Sequence, residues 1–168
     1  MQPPFWLGST GFCTEPHDGT NSPAYNGGPM IIKNSTLRLK TEGFCHVVNI
    51  TDEVQSQVNE SEIESGNVTV FVVGSTAGIT VVEYEPGLVK DLEDLFNKLA
   101  PPTRDYHHEQ AWHDGNGFSH VRASLLKPSL VVPVVSGKMR LGTWQQIVLL
   151  DFDNGPRTRE VAVQVMGQ

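Results

Sequence analysis

From Ser129 to the C-terminus the chain is a series of short apolar runs separated by tight turns, and this pattern limits the fold more than any other stretch. Leu130 to Val135 is apolar but interrupted by Pro133, which predicts an edge strand or a bulge, because proline has no N–H to give to a ladder. A turn centred on Gly137 leads to a strand from Lys138 to Leu141, and then to QQIVLLDFD, Gln145 to Asp153. Asn154-Gly155-Pro156 makes a further turn. Val161, Val163 and Val165 then share one face of the run from Arg157 to Val165. Strands joined by such short connections pair antiparallel.

The upstream chain adds helices to this sheet. Leu37 and Leu39 alternate with polar residues across Ser35 to Lys40, and Phe44 to Ile50 is a second, more buried strand. Thr51-Asp52-Glu53 then offers a helix N-cap, with Val54 and Val58 on one face and Gly66 as the stop. Val68 to Val73 is a buried strand, Gly74-Ser75-Thr76-Ala77-Gly78 a small-residue turn, and Ile79 to Tyr84 another strand. Leu88, Leu92, Leu95, Phe96 and Leu99 follow a helical period between Pro86-Gly87 and Pro101-Pro102. Asn116 is placed to cap a helix from about 117 to 126. The expected architecture is α+β: one compact domain over residues 30–168, with a largely antiparallel sheet and two or three helices. Residues 1–29, rich in glycine and proline and without periodicity, read as an irregular N-terminal extension. Phe5, Trp6 and Phe12 are its candidates for contact with the domain.

Composition narrows the partners. The net charge is −7, from 12 basic and 19 acidic residues without a Lys/Arg block, which argues against a nucleic-acid footprint. No apolar run approaches the roughly 20 residues that a membrane-spanning helix needs. The first thirty residues lack the apolar core of a signal peptide, so a cytoplasmic location is expected. Cys13 and Cys45 are too few for a disulfide scaffold and read as small buried side chains.

Candidate chemistry concentrates in Tyr106 to His120, YHHEQAWHDGNGFSH. It holds four of the six histidines (His107, His108, His113 and His120) with Glu109, Asp114 and Asn116. Imidazole and carboxylate are ligands for zinc and similar ions, and both carry protons near neutral pH. On the helix assignment above, His108 and Glu109 lie on a loop that folds back towards His120. A second polar stretch, Leu141 to Gln146 (LGTWQQ), lies among apolar strands and is expected to meet the first in space. His46, in an apolar strand, reads as a hydrogen-bonded structural histidine, and His107 and His17 as solvent-facing.

GNVTVFVVGSTAGITVVE (Gly66 to Glu83), YHHE (Tyr106 to Glu109), DGNGFSH (Asp114 to His120) and PVVSGKMRLGTWQQIVLLDFDNGPRTREV (Pro133 to Val161) resemble the YjbQ family. The resemblance runs from about residue 33 to the C-terminus. It implies a compact α+β domain that assembles as a homotrimer and a weak secondary thiamine-phosphate synthase activity. It also implies a metal-capable pocket using His108, Glu109, Asn116 and His120, with Glu83 and Trp144-Gln145 at matching positions. One departure stands out: the family has His-Thr-Thr-Ala where this chain has Gly74-Ser75-Thr76-Ala77. A histidine that would be a third ligand is therefore absent, and His113 is the candidate to replace it.

Combined with residue chemistry, these matches assign His108, Glu109 and His120 as ligands for a divalent metal, zinc or magnesium. Glu83, Asp114, Asn116 and Gln145 are the catalytic candidates. Ser75, Thr76, Trp144 and Arg157 are the substrate-binding ones, with Trp144 able to stack on an aromatic ring. Arg140, Arg159 and the amides of Ser75 to Gly78 are further anion contacts. The reaction that the resemblance implies joins a pyrimidine diphosphate to a thiazole phosphate and releases pyrophosphate. The alternatives are a metal-dependent phosphoester hydrolase, and a trimeric protein that binds a metal or a small phosphorylated metabolite without physiological turnover.

Overall fold

A computed structural model describes residues 28–168. Residues 1–27 lie outside the described residues, and with them most of the expected extension, its aromatic residues, Cys13 and His17. The strands form two antiparallel sheets rather than one. The larger contains β1 (Ile31–Thr41), β8 (Arg157–Gly167), β3 (Ser65–Val73), β5 (Ser129–Val135) and the short β6 (Lys138–Met139), in that order. The smaller has β7 (Gln146–Asp151) between β2 (His46–Asn49) and β4 (Ala77–Val82).

The alternation of β3, β5 and β8 sets how the sheets stack. Val68, Val70, Val72, Val132, Val134, Val161, Val163 and Val165 turn inward, each no more than 4% exposed, and meet Ala77, Ile79, Ile147 and Leu149 of the smaller sheet. Full burial of such side chains contributes about 1.5–3 kcal/mol each. The other face of β7 presents Val148 and Leu150, with nearby Phe152, to Phe96 and Ala123 of two helices. β7 is thus covered on both faces, which explains its continuous apolar run. The layers are larger sheet, smaller sheet, helices. The second sheet follows from burial, because an alternating strand signals one buried face and does not say what covers it.

Four helices are present among the described residues. In α1 (Thr51–Ser61) Ile50, not Thr51, holds the N-cap position, and the helix ends on Glu62 in a left-handed conformation. Gly66, expected as its stop, lies inside β3. In α2 (Pro86–Leu99) Pro86 opens the first turn and the Glu85 carboxylate accepts from the amides of Gly87 and Leu88. α3 (His107–Trp112) is a six-residue helix where a loop was expected. It closes on His113 at φ 55°. α4 (Gly117–Leu126) lies where the sequence placed it. No helix among the described residues is long and apolar enough to cross a membrane.

Candidate functional site

The histidine-rich stretch folds into α3, a turn and the start of α4, and this brings two of its imidazoles together. The His108 and His120 ring centroids are 4.5 Å apart at an interplanar angle of 46°. His108 Nε2 stands 3.6 Å from Asp114 Oδ1, too far for a hydrogen bond. Nε2 and Asn116 Oδ1 are the buried side-chain atoms left without a partner among the described residues. Asn116 occupies the N-cap position of α4, but its side chain does not cap the helix as expected.

That task falls to Glu109. Its two carboxylate oxygens accept 2.6 Å hydrogen bonds from the amides of Gly115 and Gly117, so the negative charge sits at the start of α4. Gly117 has to lack a side chain for this approach, since a β-carbon there would lie 2.8 Å from Glu109 Oε1 and 2.7 Å from Tyr106 Cβ. Glu109 is therefore a clamp on the turn in this structure, not a third ligand beside the histidines. His113 is exposed at the end of α3. No group of three or more His, Cys, Asp or Glu residues among those described is arranged to hold a metal ion.

His120 also lines a cavity of about 270 Å³ with Gly74, Ser75, Ala77, Ala123 and Ser124. Beside it lies a buried charge network that the sequence reading missed. Arg159 Nε and Nη2 donate to the two oxygens of Asp151 at 2.7 and 2.6 Å. Nη2 also donates to Thr76 Oγ1 at 2.8 Å and to Asp153 Oδ2 at 3.2 Å. Thr76 Oγ1 donates in turn to Asp153, and Thr41 Oγ1 to Asp151. Arg157 grips Asp153 with Nε and Nη2 at 2.8 and 3.1 Å. Burial by itself would raise the pKa of Asp153. Hydrogen bonds from Arg157, Thr76 and the Asn154 amide, with the Arg157 charge, outweigh it and hold the carboxyl below the usual carboxylate range. The same pairing pushes Arg157 above its ordinary value. Thr76, expected to bind substrate, is a buried member of this network. Arg157 is half-exposed and committed to Asp153.

One signal for the network was present in the sequence. Arg159 continues the inward face set by Val161, Val163 and Val165, so its charge needed a buried partner. A second buried arginine was also missed: Arg122 of α4 donates to Ala100 O and Asn97 Oδ1, tying α4 to the end of α2. His46 Nδ1 accepts from the Glu42 amide, as expected of a structural histidine.

The two polar stretches do not meet within the chain. The cavity is at the end of β4 and β7 where Ala77 pairs with Asp151. Glu83, Trp144 and Gln145 flank the opposite end, where Val82 pairs with Gln146. Five residue steps along β7, at roughly 3.4 Å each, separate the ends by about 17 Å. Trp144 is 69% exposed. Gln145 and Arg140 line a separate cleft between β4 and β5, of about 300 Å³.

Two stacked antiparallel sheets with helices on one side are the fold of a known class. The family model described as UPF0047 protein YjbQ-like matches residues 35–168, and the chain belongs to this family. It is 42% identical over 130 residues to a UPF0047 protein of Archaeoglobus fulgidus, covering 77% of this chain and 98% of that one. It is 37% identical to the UPF0047 protein YugU of Bacillus subtilis, covering 79% and 98%. Among solved structures, a protein of unknown function from Sulfolobus solfataricus superposes with a TM-score of 0.79 at 32% identity, covering 83% of this chain and 100% of the other. An uncharacterised family member from Clostridium acetobutylicum gives 0.72 at 36%, covering 78% and 98%.

Proposed function

We propose that the His108–His120 pocket takes a small phosphorylated metabolite and that its imidazoles move protons as the phosphorylated group departs. The observation that carries this reading is the buried, unpartnered His108 Nε2 stacked against His120 at the rim of the cavity. An imidazole nitrogen that the protein leaves without a hydrogen-bond partner, behind a second imidazole that lines the cavity, suits a general acid or base. Two imidazoles with Glu109 committed to the turn fall short of the three protein ligands that a catalytic zinc site uses. Magnesium needs a near-octahedral set of oxygens, and no three His, Cys, Asp or Glu residues among those described are grouped to hold an ion. No step is therefore assigned to a metal.

Within this reading the reaction is thiamine-phosphate synthase-like. A C–N bond forms between pyrimidine methylene and thiazole nitrogen as the C–O bond to the diphosphate breaks. Pyrophosphate leaves with the electron pair, and a histidinium beside it offsets the developing charge. A cavity of about 270 Å³ suits one small phosphorylated molecule better than two organic substrates. The second half of the site is supplied by assembly. Glu83, Trp144 and Gln145, about 17 Å away along β7 from the histidine cavity of their own chain, would meet that cavity on a neighbouring copy in a homotrimer. Exposed Phe71, Val73, Val131 and Val135 on the outer face of the larger sheet favour such assembly.

The test incubates the purified chain with hydroxymethylpyrimidine diphosphate and thiazole phosphate and measures thiamine phosphate and pyrophosphate together. Formation of both, lost in His108→Gln and His120→Gln chains that still fold, is the expected result. Phosphate release from either compound alone, without coupling, would move the assignment to a hydrolase. Saturable binding without turnover would make it a binding protein.

A further inference from the structure

We propose that Arg159 is the anion anchor of the histidine pocket, taking a phosphoryl oxygen on Nη1 through the opening that Gly74 leaves. The proposal rests on the phosphorylated-metabolite reading above and identifies the contact that recognises the phosphoryl group. It replaces Arg157 in that role.

Two of the three guanidinium nitrogens of Arg159 are fixed from behind. Nε and Nη2 are held by Asp151, Asp153 and Thr76, and the side chain is only 9% exposed. Nη1 has no hydrogen-bond partner among the described residues, and it is not one of the enclosed unpaired atoms, so solvent reaches it. A β-carbon built on Gly74 would lie 3.4 Å from Nη1, which places that nitrogen against the turn lining the cavity. Gly74 has φ +138°, a conformation that L side chains rarely adopt, and a side chain there would press on Nη1, so glycine leaves this nitrogen uncovered next to the cavity-lining turn.

The charges explain why this donor is ready for use. Asp151 and Asp153 offset Arg157 and Arg159, so the network is balanced and rigid without a ligand. Nη1 still carries two N–H groups whose direction is set by the grip on Nε and Nη2. A fixed donor of this kind binds an anion without first being ordered, and a guanidinium matches the geometry of phosphoryl oxygens. Ser75 and His120 line the cavity that Gly74 borders, so a phosphate ester held by Nη1 beside Gly74 would extend towards them. The ligand class is a phosphate monoester or diphosphate small enough for about 270 Å³.

The experiment titrates the full chain, with isotopically labelled arginine and histidine, with inorganic pyrophosphate. NMR follows the Arg159 guanidinium and the two imidazoles, and calorimetry gives Kd. Arg159 anchors the network, so its own substitution risks the fold. The variants are therefore Ser124→Glu, which puts a negative charge at the exposed rim, and Ser124→Gln, its neutral counterpart. A saturable shift of the Arg159 signals is expected, with binding about tenfold weaker in Ser124→Glu than in Ser124→Gln. Equal affinities in the two variants would overturn the proposal, and so would an absence of pyrophosphate binding. Saturation that moves His108 and His120 but leaves Arg159 stationary would overturn it too. Turnover retained alongside a stationary Arg159 would leave the proposed function standing and remove only this anchor.

Discussion

Replacing Glu109 with alanine separates the two roles that this residue could have. If Glu109 is a clamp, the substitution removes both hydrogen bonds to the Gly115 and Gly117 amides and the negative charge at the start of α4. Hydrogen bonds to a charged group contribute about 1.5–3 kcal/mol each. The Gly115 contact is exposed and counts at the low end, so the expected loss is about 2–4 kcal/mol. For a chain of this size that lowers Tm by about 5–15 °C. Glu109→Gln keeps one acceptor oxygen and should lose about half as much. Urea denaturation followed by circular dichroism gives the free energies, and imidazole NMR reports whether the His108–His120 stacking survives. Because the turn carries His108 towards His120, the Glu109→Ala chain should also show altered ring shifts without any added ion. A stability within about 0.5 kcal/mol of the original, with unchanged ring shifts, would refute the clamp. If that same chain lost a bound divalent ion, the ligand role would be restored.

Two more outcomes follow from the charge network and the core. Asp153 has a folded pKa below its unfolded value of about 3.9, so its contribution is present above that value and disappears as the pH falls through the depressed one. Arg157→Gln should therefore lower the unfolding free energy measured in urea at pH 7 by about 1 kcal/mol, because Arg157 is half-exposed, and the gap should narrow at pH 3. A gap that widens in acid would show that the stabilisation lies elsewhere. Cys45 is buried, and burial pushes its thiol up to about 11, with Arg122 opposing. In a Cys13→Ser chain at pH 7.5, Cys45 should resist alkylation while folded and react fully in denaturant. Rapid modification of the folded chain would count against this core position.

The α+β class, the strands β3, β5, β7 and β8 and the helices α2 and α4 were legible because their signals are local. Pro86 and Pro101 bound α2, and the valines of β8 alternate without interruption. The histidine stretch was legible as a candidate site because imidazoles and carboxylates crowd a few adjacent positions, and the structure brings His108 and His120 together. Roles within it were not, since a carboxylate near histidines reads as a ligand until its partners are known. Six residues without strong amphipathic pattern left α3 looking like a loop.

Amino-acid order alone determined which segments bury a face, where the turns fall and which stretch concentrates imidazoles and carboxylates, because each depends on neighbours a few positions apart. Tertiary structure decided everything that depends on residues meeting across the chain. It split the strands between two sheets, gave Glu109 to the amides of Gly115 and Gly117, and set Asp151, Asp153 and Arg159 together beneath the Gly74 turn. It also put His120 and Gln145 at opposite ends of β7, because a strand carries its two ends apart by its full length whatever chemistry they share.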